Sequence, residues 1–511
     1  MPDGKRFAVN LVAKFFSLGL NLVISFFLTP FIIEHVGTES YGFVGLANDF
    51  VDIARIAAVS LNSMALRFIA VSLHRENLME TKRYFASVML VNILLALLLL
   101  LPFGGIVACL DKFLSISKHI LLDVRLLWVF VFFNFLLTII GSTFSVALFA
   151  KNRIDKEAFR NAESVALRAI FLYICYTFLA PKVFYIGISY SVLTIYVLAT
   201  NFYYTKKYLP ELTVSRQYFD KKSIKTLFVS GGWNCLSKIA TILSTGLDLL
   251  FINLFVGKLQ MGIASISKTM PATVLSVFVI LSGVFLPKLT EDYSKENYDS
   301  LVKNAVFSVK LLGTLATIPL IAVGIFGDTF YALWTPTENA HTLWVLSVLG
   351  GASYVVSLAT QNLWNIFTVT NRVKISSVWL LVSACLSVVT VLISMAFVKD
   401  VTARMYVIIA CSAIYHLLLT ITFLPIQAAK CLHVKKRTFY APMAKSLLLL
   451  TVLCILFIGV KSISTVNSWT AFIGIFVLVT VVSLLSGFFF LFNRTEKQAF
   501  LSLFKRTSNT K

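Results

Sequence analysis

Two stretches fix the class of fold before anything else is read: LVNILLALLLLL at 90–101 and LLLLTVLCILFIGV at 447–460 are apolar on every side. Runs of this kind recur along the whole chain of 511 residues. A hydrocarbon core about 30 Å thick needs about 20 mostly apolar helical residues per crossing. A transmembrane barrel would instead alternate apolar and polar residues in segments of about ten. The chain therefore reads as an all-α polytopic membrane protein. About fourteen transmembrane helices are predicted, among them 8–33, 42–69, a fifth at 162–180, a sixth at 183–204, a seventh at 227–254, a tenth at 343–368 and a last at 470–492.

Charge then sets orientation. The formal net charge is +22, from 45 basic and 23 acidic residues. Most Lys and Arg fall in alternate loops, as with Arg75, Lys82, Arg83, Lys151, Arg153, Lys206, Lys207 and the run Lys435, Lys436, Arg437. The positive-inside rule places those loops, and with an even number of spans both termini, in the cytoplasm. Basic residues scattered over short loops fit anionic membrane lipids, and no nucleic acid is expected as a partner. The first apolar run is too long for a signal peptide and lacks a small-residue cleavage pattern. The seven cysteines lie mostly in apolar runs, with neither disulfide nor zinc spacing. In the tail EKQAFLSLFKRTSNTK, Phe500, Leu501 and Phe504 oppose Lys497, Lys505 and Arg506, as in a helix lying on the inner leaflet.

An internal repeat organises the chain. VGTESYG at 36–42 is matched by VGKLQMG at 256–262, and the same ungapped offset of 220 pairs REN at 75–77 with KEN at 295–297. It also pairs Ser17 with Ser237, Asn21 with Thr241 and Ser25 with Thr245. An offset spanning six helices keeps both halves in the same orientation, as two pseudo-symmetric six-helix bundles about an axis along the membrane normal. The expected divisions are 1–205 for the first bundle, 206–226 for a cytoplasmic linker, 227–430 for the second bundle, and 431–511 for two extra helices and a tail. The bracketing glycines mark a tight turn between paired helices.

Polar residues within the spans form stripes. The first helix carries Asn10, Lys14, Ser17, Asn21 and Ser25 at spacings that share one face, and the seventh carries Asn234, Lys238, Thr241, Thr245 and Asp248 likewise. Helix 2 holds Asp49, Asp52 and Arg55 within LANDFVDIAR, and helix 8 holds Ser265, Lys268, Thr269 and Thr273 ahead of a kink expected at Pro271. A charge at the centre of a spanning helix costs about 2.5 to 3.5 kcal/mol, so these residues should face protein or water. The expectation is a hydrated cavity lined by Lys14, Arg55, Lys238 and Lys268, with Asp49, Asp52 and Asp248 as ion partners or titrating groups. The alternative is structural pairing, most obviously Asp52 with Arg55. Lys14 and Arg67 could instead snorkel, and Arg168, Lys310 and Lys445 are left out of the site on that ground. Gln361, Asn362 and Asn365 could touch a sugar or bond a neighbouring helix.

LTPFIIEHVGTESYGFVGLANDFVDIA (28–54), SGGWNCLSKIATILSTGLDLLFINLFVG (230–257) and LPKLTEDY (286–293) together resemble the polysaccharide-transporter branch of the multidrug/oligosaccharidyl-lipid/polysaccharide (MOP) exporter superfamily. The nearest likeness within it is to Wzx-type lipid-linked oligosaccharide flippases. The resemblance implies a transporter of the bacterial cytoplasmic (inner) membrane and not an enzyme. It implies alternating access that carries undecaprenyl-diphosphate-linked oligosaccharide from inner to outer leaflet, for O-antigen, capsule or another surface glycan, alongside polysaccharide polymerase machinery. Lys14, Arg55, Lys238 and Lys268 would then attract diphosphate or acidic sugars, and Asn21, Thr241 and Thr245 would offer hydrogen bonds. Asp49, Asp52 or Asp248 would couple the cycle to H+ or Na+, and no other cofactor is implied. Two other functions stay open: a cation-coupled multidrug exporter, and a membrane polysaccharide polymerase or glycosyltransferase. The latter usually carries a large catalytic loop, and no outer loop here is long enough for one.

Overall fold

A computed structural model describes residues 3–151, 153–464, 466–494 and 496–497, and every regular element among them is helical. The predicted amphipathic tail lies outside the described residues beyond Lys497. Packing divides the chain into two compact units, Met1–Ser265 and Ile266–Lys511. The first holds α1 (Asp3–Val36), α2 (Thr38–His74), α3 (Leu78–Ala108), α4 (Leu121–Gly141), α5 (Ile154–Phe178), α6 (Phe184–Tyr208), α7 (Lys221–Thr241) and α8 (Asp248–Phe255). Helix α9 (Lys258–Gly283) begins in the first unit and ends in the second. The second continues with α10 (Leu286–Ser294), α11 (Tyr298–Trp334), α12 (Ala340–Gly350), α13 (Tyr354–Thr360), α14 (Leu363–Val369), α15 (Val373–Phe397) and α16 (Val401–Leu418). It closes with α17 (Leu424–Cys431), α18 (Arg437–Ile463) and α19 (Trp469–Phe490).

Among the described residues, 12 helical stretches are long and apolar enough to cross a membrane, and α12 with α13, bent by 50°, makes a thirteenth as one broken span. That broken span and α14 fall on the predicted tenth crossing. The remaining predicted crossing, the fifth, falls on α5, whose first half is charged: Asp155, Lys156, Glu157, Arg160 and Glu163, with Arg168 further on. Helix α9 runs unbroken through Pro271. The predicted seventh span is two helices, α7 and α8, joined by a π-turn at Ile242–Gly246. Such wide turns are concentrated at functional sites.

Packing and duplication divide the chain at different places. The repeat begins again after the 206–226 linker, yet α7 and α8 pack with the first six helices, because α7 lies lengthwise against α2. Residues 221–226 of the predicted linker are already helical: Asp220 caps α7 by accepting from the Lys222 and Ser223 amides at 3.2 and 3.0 Å. The Ser223 hydroxyl bonds the same carboxyl and holds it below the usual carboxylate range.

The repeated turns have repeated geometry. Gly37 and Gly257 both take positive φ, +79° and +148°, which glycine adopts without a Cβ penalty. Glu76 and Glu296, 220 residues apart, sit in the left-handed region at φ 57° and 56°. Each is followed by an asparagine whose side chain caps the next helix, Asn77 on Glu80 N and Asn297 on Ser300 N, both at 3.1 Å.

Lipid offers no hydrophobic drive for helix association, so close contact depends on small residues and polar bonds. In the second unit a Cβ on Gly487 would collide with Thr314, and one on Gly313 with Ser446, so these glycines let α19 and α18 close on α11. The cores are otherwise apolar: Leu61, Ile69, Phe85 and Leu227 in the first unit, and Val309, Phe367, Phe423 and Phe439 in the second.

Candidate functional site

Helices α2 and α7 run antiparallel, and their register is set by small residues. A Cβ on Gly231 would strike the Ser60 carbonyl, so glycine is required for this approach. The Ser60 hydroxyl donates to the Phe228 carbonyl at 3.1 Å, and Cys235 Sγ lies 3.7 Å from the Ile56 carbonyl. One turn further the same register brings Lys238 to Asp52.

There a single carboxylate is shared by two cations. Asp52 Oδ2 accepts from Lys238 Nζ at 3.1 Å, and Asp52 Oδ1 pairs with Arg55 Nη1 at 2.7 Å. The side chains of Arg55, Asp52 and Lys238 are 48%, 37% and 23% exposed. The cluster carries one surplus positive charge, is half open, and lies in helices otherwise fit for a membrane. An arrangement of this kind can take an anion without separating a matched pair.

The other predicted site residues are placed as follows. Asn21, Thr241 and Thr245 are exposed. Ser25 donates to Asn21 Oδ1 at 3.2 Å, while Thr241 and Thr245 donate to the carbonyls of Ser237 and Thr241 at 3.0 and 3.2 Å. Those threonines flank and enter the π-turn, and Asp248, which is buried, opens the helix after it. Asp49 is half-buried on α2 and Lys14 is exposed on α1, where its charge acts on Glu157 of α5. Asn10, first in the α1 stripe, accepts from the Asp155 amide at 2.9 Å and so ties α1 to the start of α5. Lys268 is half-buried in the part of α9 that belongs to the second unit. Among the ten, Asp52, Arg55 and Lys238 form one charged cluster across α2 and α7.

In the second unit the asparagines bond neighbouring helices. Asn362 donates to Ser308 Oγ at 2.7 Å, and Asn365 donates to the Ser282 carbonyl at 3.1 Å. Lys310 is buried and bonds both oxygens of Glu496 at 2.8 Å, so it does not snorkel. Lys461 holds both oxygens of Asp328 at 2.7 Å and fastens α18 to α11.

One cluster escaped the sequence reading. Along α5 and α6, Lys156 donates to Tyr208 Oη at 2.8 Å and lies 4.7 Å over the Tyr204 ring. Arg160 Nη1 reaches Glu163 at 2.6 Å and Tyr196 Oη at 2.9 Å, and Tyr196 itself donates to Glu163 at 2.6 Å. Arg168 sits 5.0 Å over the Tyr190 ring, a cation–π contact in place of the snorkelling expected of it. The signal available in the sequence was the charged first half of α5 itself, too polar for a lipid-facing span.

Residues 4–293, more than half of the chain, match the family described as "Polysaccharide biosynthesis protein". The chain is similar to "Uncharacterized membrane protein EpsK" of Bacillus subtilis (strain 168), 26% identical over 98% of this chain and 99% of that one. Solved structures of like fold include the Lipid II flippase MurJ in an inward closed conformation, with a TM-score of 0.64 at 14% identity over 93% of this chain and 98% of that one. A multidrug resistance MATE family transporter of the MOP superfamily, inward-facing, gives a TM-score of 0.58 at 13% identity over 83% and 98%. The chain belongs to the polysaccharide biosynthesis protein family and shares its helical fold with these solved structures.

Proposed function

We propose that the protein is a flippase of the bacterial cytoplasmic membrane that moves undecaprenyl-diphosphate-linked oligosaccharide from the inner to the outer leaflet by alternating access. The observation that carries this reading is the shared carboxylate: Asp52 held by both Arg55 and Lys238, half-exposed in helices that suit a bilayer. A diphosphate with its sugars cannot cross about 30 Å of hydrocarbon unaided, whereas an isoprenoid tail can remain in lipid. Arg55 and Lys238 can bond phosphate oxygens through the N–H donors that Asp52 does not occupy. Lys14 and Lys268 add positive charge along the path, and Asn21, Thr241 and Thr245 supply hydrogen bonds. Asp49, Asp52 and Asp248 are the candidate acceptors of H+ or Na+ in coupling. The glycan would serve a surface polysaccharide, with polymerase machinery as the downstream partner. A net-positive cluster suits an anionic cargo better than the amphiphilic cations of a multidrug exporter.

The test is translocation of a fluorescent undecaprenyl-diphosphate glycan in proteoliposomes. Lys238→Gln combined with Lys268→Gln should reduce the rate at least tenfold while the protein still purifies as a folded species. Translocation at the wild-type rate by that double variant would overturn the proposed role.

A further inference from the structure

We propose that the α5–α6 seam is a second binding strip, one that receives acidic sugar residues of the cargo by stacking them on tyrosines and pairing their carboxylates with Arg160 and Lys156. This rests on the flippase reading for the identity of the cargo, but on different residues from the Asp52 cluster.

Three observations support it. First, the seam is long: Arg168 lies about 21 Å along α5 from its start at Ile154, at 1.5 Å per residue, and falls inside the predicted fifth span, 162–180. A charge within a span should meet protein or water and not lipid. Arg160 and Glu163 are 33% and 45% exposed, so a hydrated face is implied beside them.

Second, the charges do not match one to one. Arg160 pairs with Glu163 and also bonds Tyr196 Oη, whereas among the described residues Lys156 and Arg168 meet only tyrosines: Lys156 the Tyr208 hydroxyl and the Tyr204 ring, Arg168 the Tyr190 ring. A structural ion pair would pair each cation with its own carboxylate. A surplus of cations beside aromatic rings suits a ligand that is flat and apolar on one face and anionic at its edge. A uronic acid in a glycan is such a ligand: its ring C–H face can lie on tyrosine, and its carboxylate can take the guanidinium fork.

Third, the fold does not require these charges. The corresponding helix of the second half, α15, is equally long and carries Lys374 at its start as its one Lys, Arg, Asp or Glu. It packs on α16 through hydroxyls, Thr390 to Tyr415 Oη at 2.7 Å.

The test uses the full-length protein in nanodiscs and two probes, hyaluronan tetrasaccharide (alternating glucuronate and N-acetylglucosamine) and the neutral chitotetraose. Wild type should bind the acidic probe at least tenfold more tightly than the neutral one. Arg160→Gln and Lys156→Gln should each weaken the acidic probe tenfold or more. Tyr190→Ala should weaken both probes, and Tyr190→Phe should restore what that change loses. Equal affinity for the two probes overturns the proposal, as does undiminished hyaluronan binding by Arg160→Gln. If Arg160→Gln does not fold, Lys156→Gln, at the end of the helix, decides in the same two directions. Undecaprenyl diphosphate serves as the third probe: Lys238→Gln should weaken it and Arg160→Gln should not. Loss of that pattern alone counts against the flippase reading and leaves the hyaluronan result to judge the strip.

Discussion

Helices α5 and α15 occupy the same place in the duplicated order, and each packs on the helix that follows it, yet their seams are chemically opposite. In the first unit α5 meets α6 through three cations, one carboxylate and four tyrosines. In the second, α15 meets α16 through hydroxyls, with Ser383 and Thr390 both bonded to Tyr415. The turns did not diverge in the same way: Glu76 and Glu296 hold the same left-handed conformation, and Asn77 and Asn297 cap the following helices identically. A turn is tied to one backbone geometry, so its residues are constrained locally. A helix face is constrained by what lies opposite, and two copies of a helix can acquire different neighbours and different work.

The comparison is broken most severely by moving a charge across it. Val388→Arg places in α15 a cation at the position matched to Arg168, in a helix whose one Lys, Arg, Asp or Glu is Lys374, and should cost about 2.5 to 3.5 kcal/mol. The yield of monodisperse protein should fall several-fold, whereas Arg168→Leu in α5 should keep it within about twofold of wild type. Equal losses would mean that the two seams are not different environments.

A milder change sharpens the difference. Tyr196→Phe removes the hydroxyl that joins Arg160 to Glu163 and should lower stability by about 1 to 2 kcal/mol, since the lost bonds are to charged groups. Tyr415→Phe removes a neutral bond and should cost about half as much, read from thermal unfolding in detergent. The smallest effect tests the part of the comparison that is conserved. Glu76→Gly and Glu296→Gly should each leave stability unchanged or raise it, by up to about 1 kcal/mol, because glycine accepts the left-handed conformation without strain. A response at one position and not the other would deny that the turns are equivalent.

Much of the fold was legible because it depends on local signals. The apolar runs gave the helices, and the VG and REN/KEN repeats gave the turns. What escaped depends on partners. The predicted fifth span begins at 162 because the charges before it read as loop, whereas the helix starts at Ile154 and its Lys156 and Arg160 meet tyrosines on α6. The seventh span read as continuous, and the π-turn at 242–246 leaves no mark in hydropathy. Asp52 and Arg55 were evident as a local pair three residues apart. Lys238 as the third member was not, since it is 186 residues distant and arrives through the close approach of Gly231 to Ser60. Asn362 and Asn365 could be assigned to helix bonding only once Ser308 and Ser282 were seen opposite them.

By itself the sequence determined that this chain enters a membrane as helices, that it is built from two related halves, and where the backbone must turn. Those properties follow from the lengths of apolar runs and from local conformational preferences, which each segment carries alone. Tertiary structure decided which charge meets which partner. That choice depends on the register of two helices in contact, and a register is fixed only when both surfaces are present.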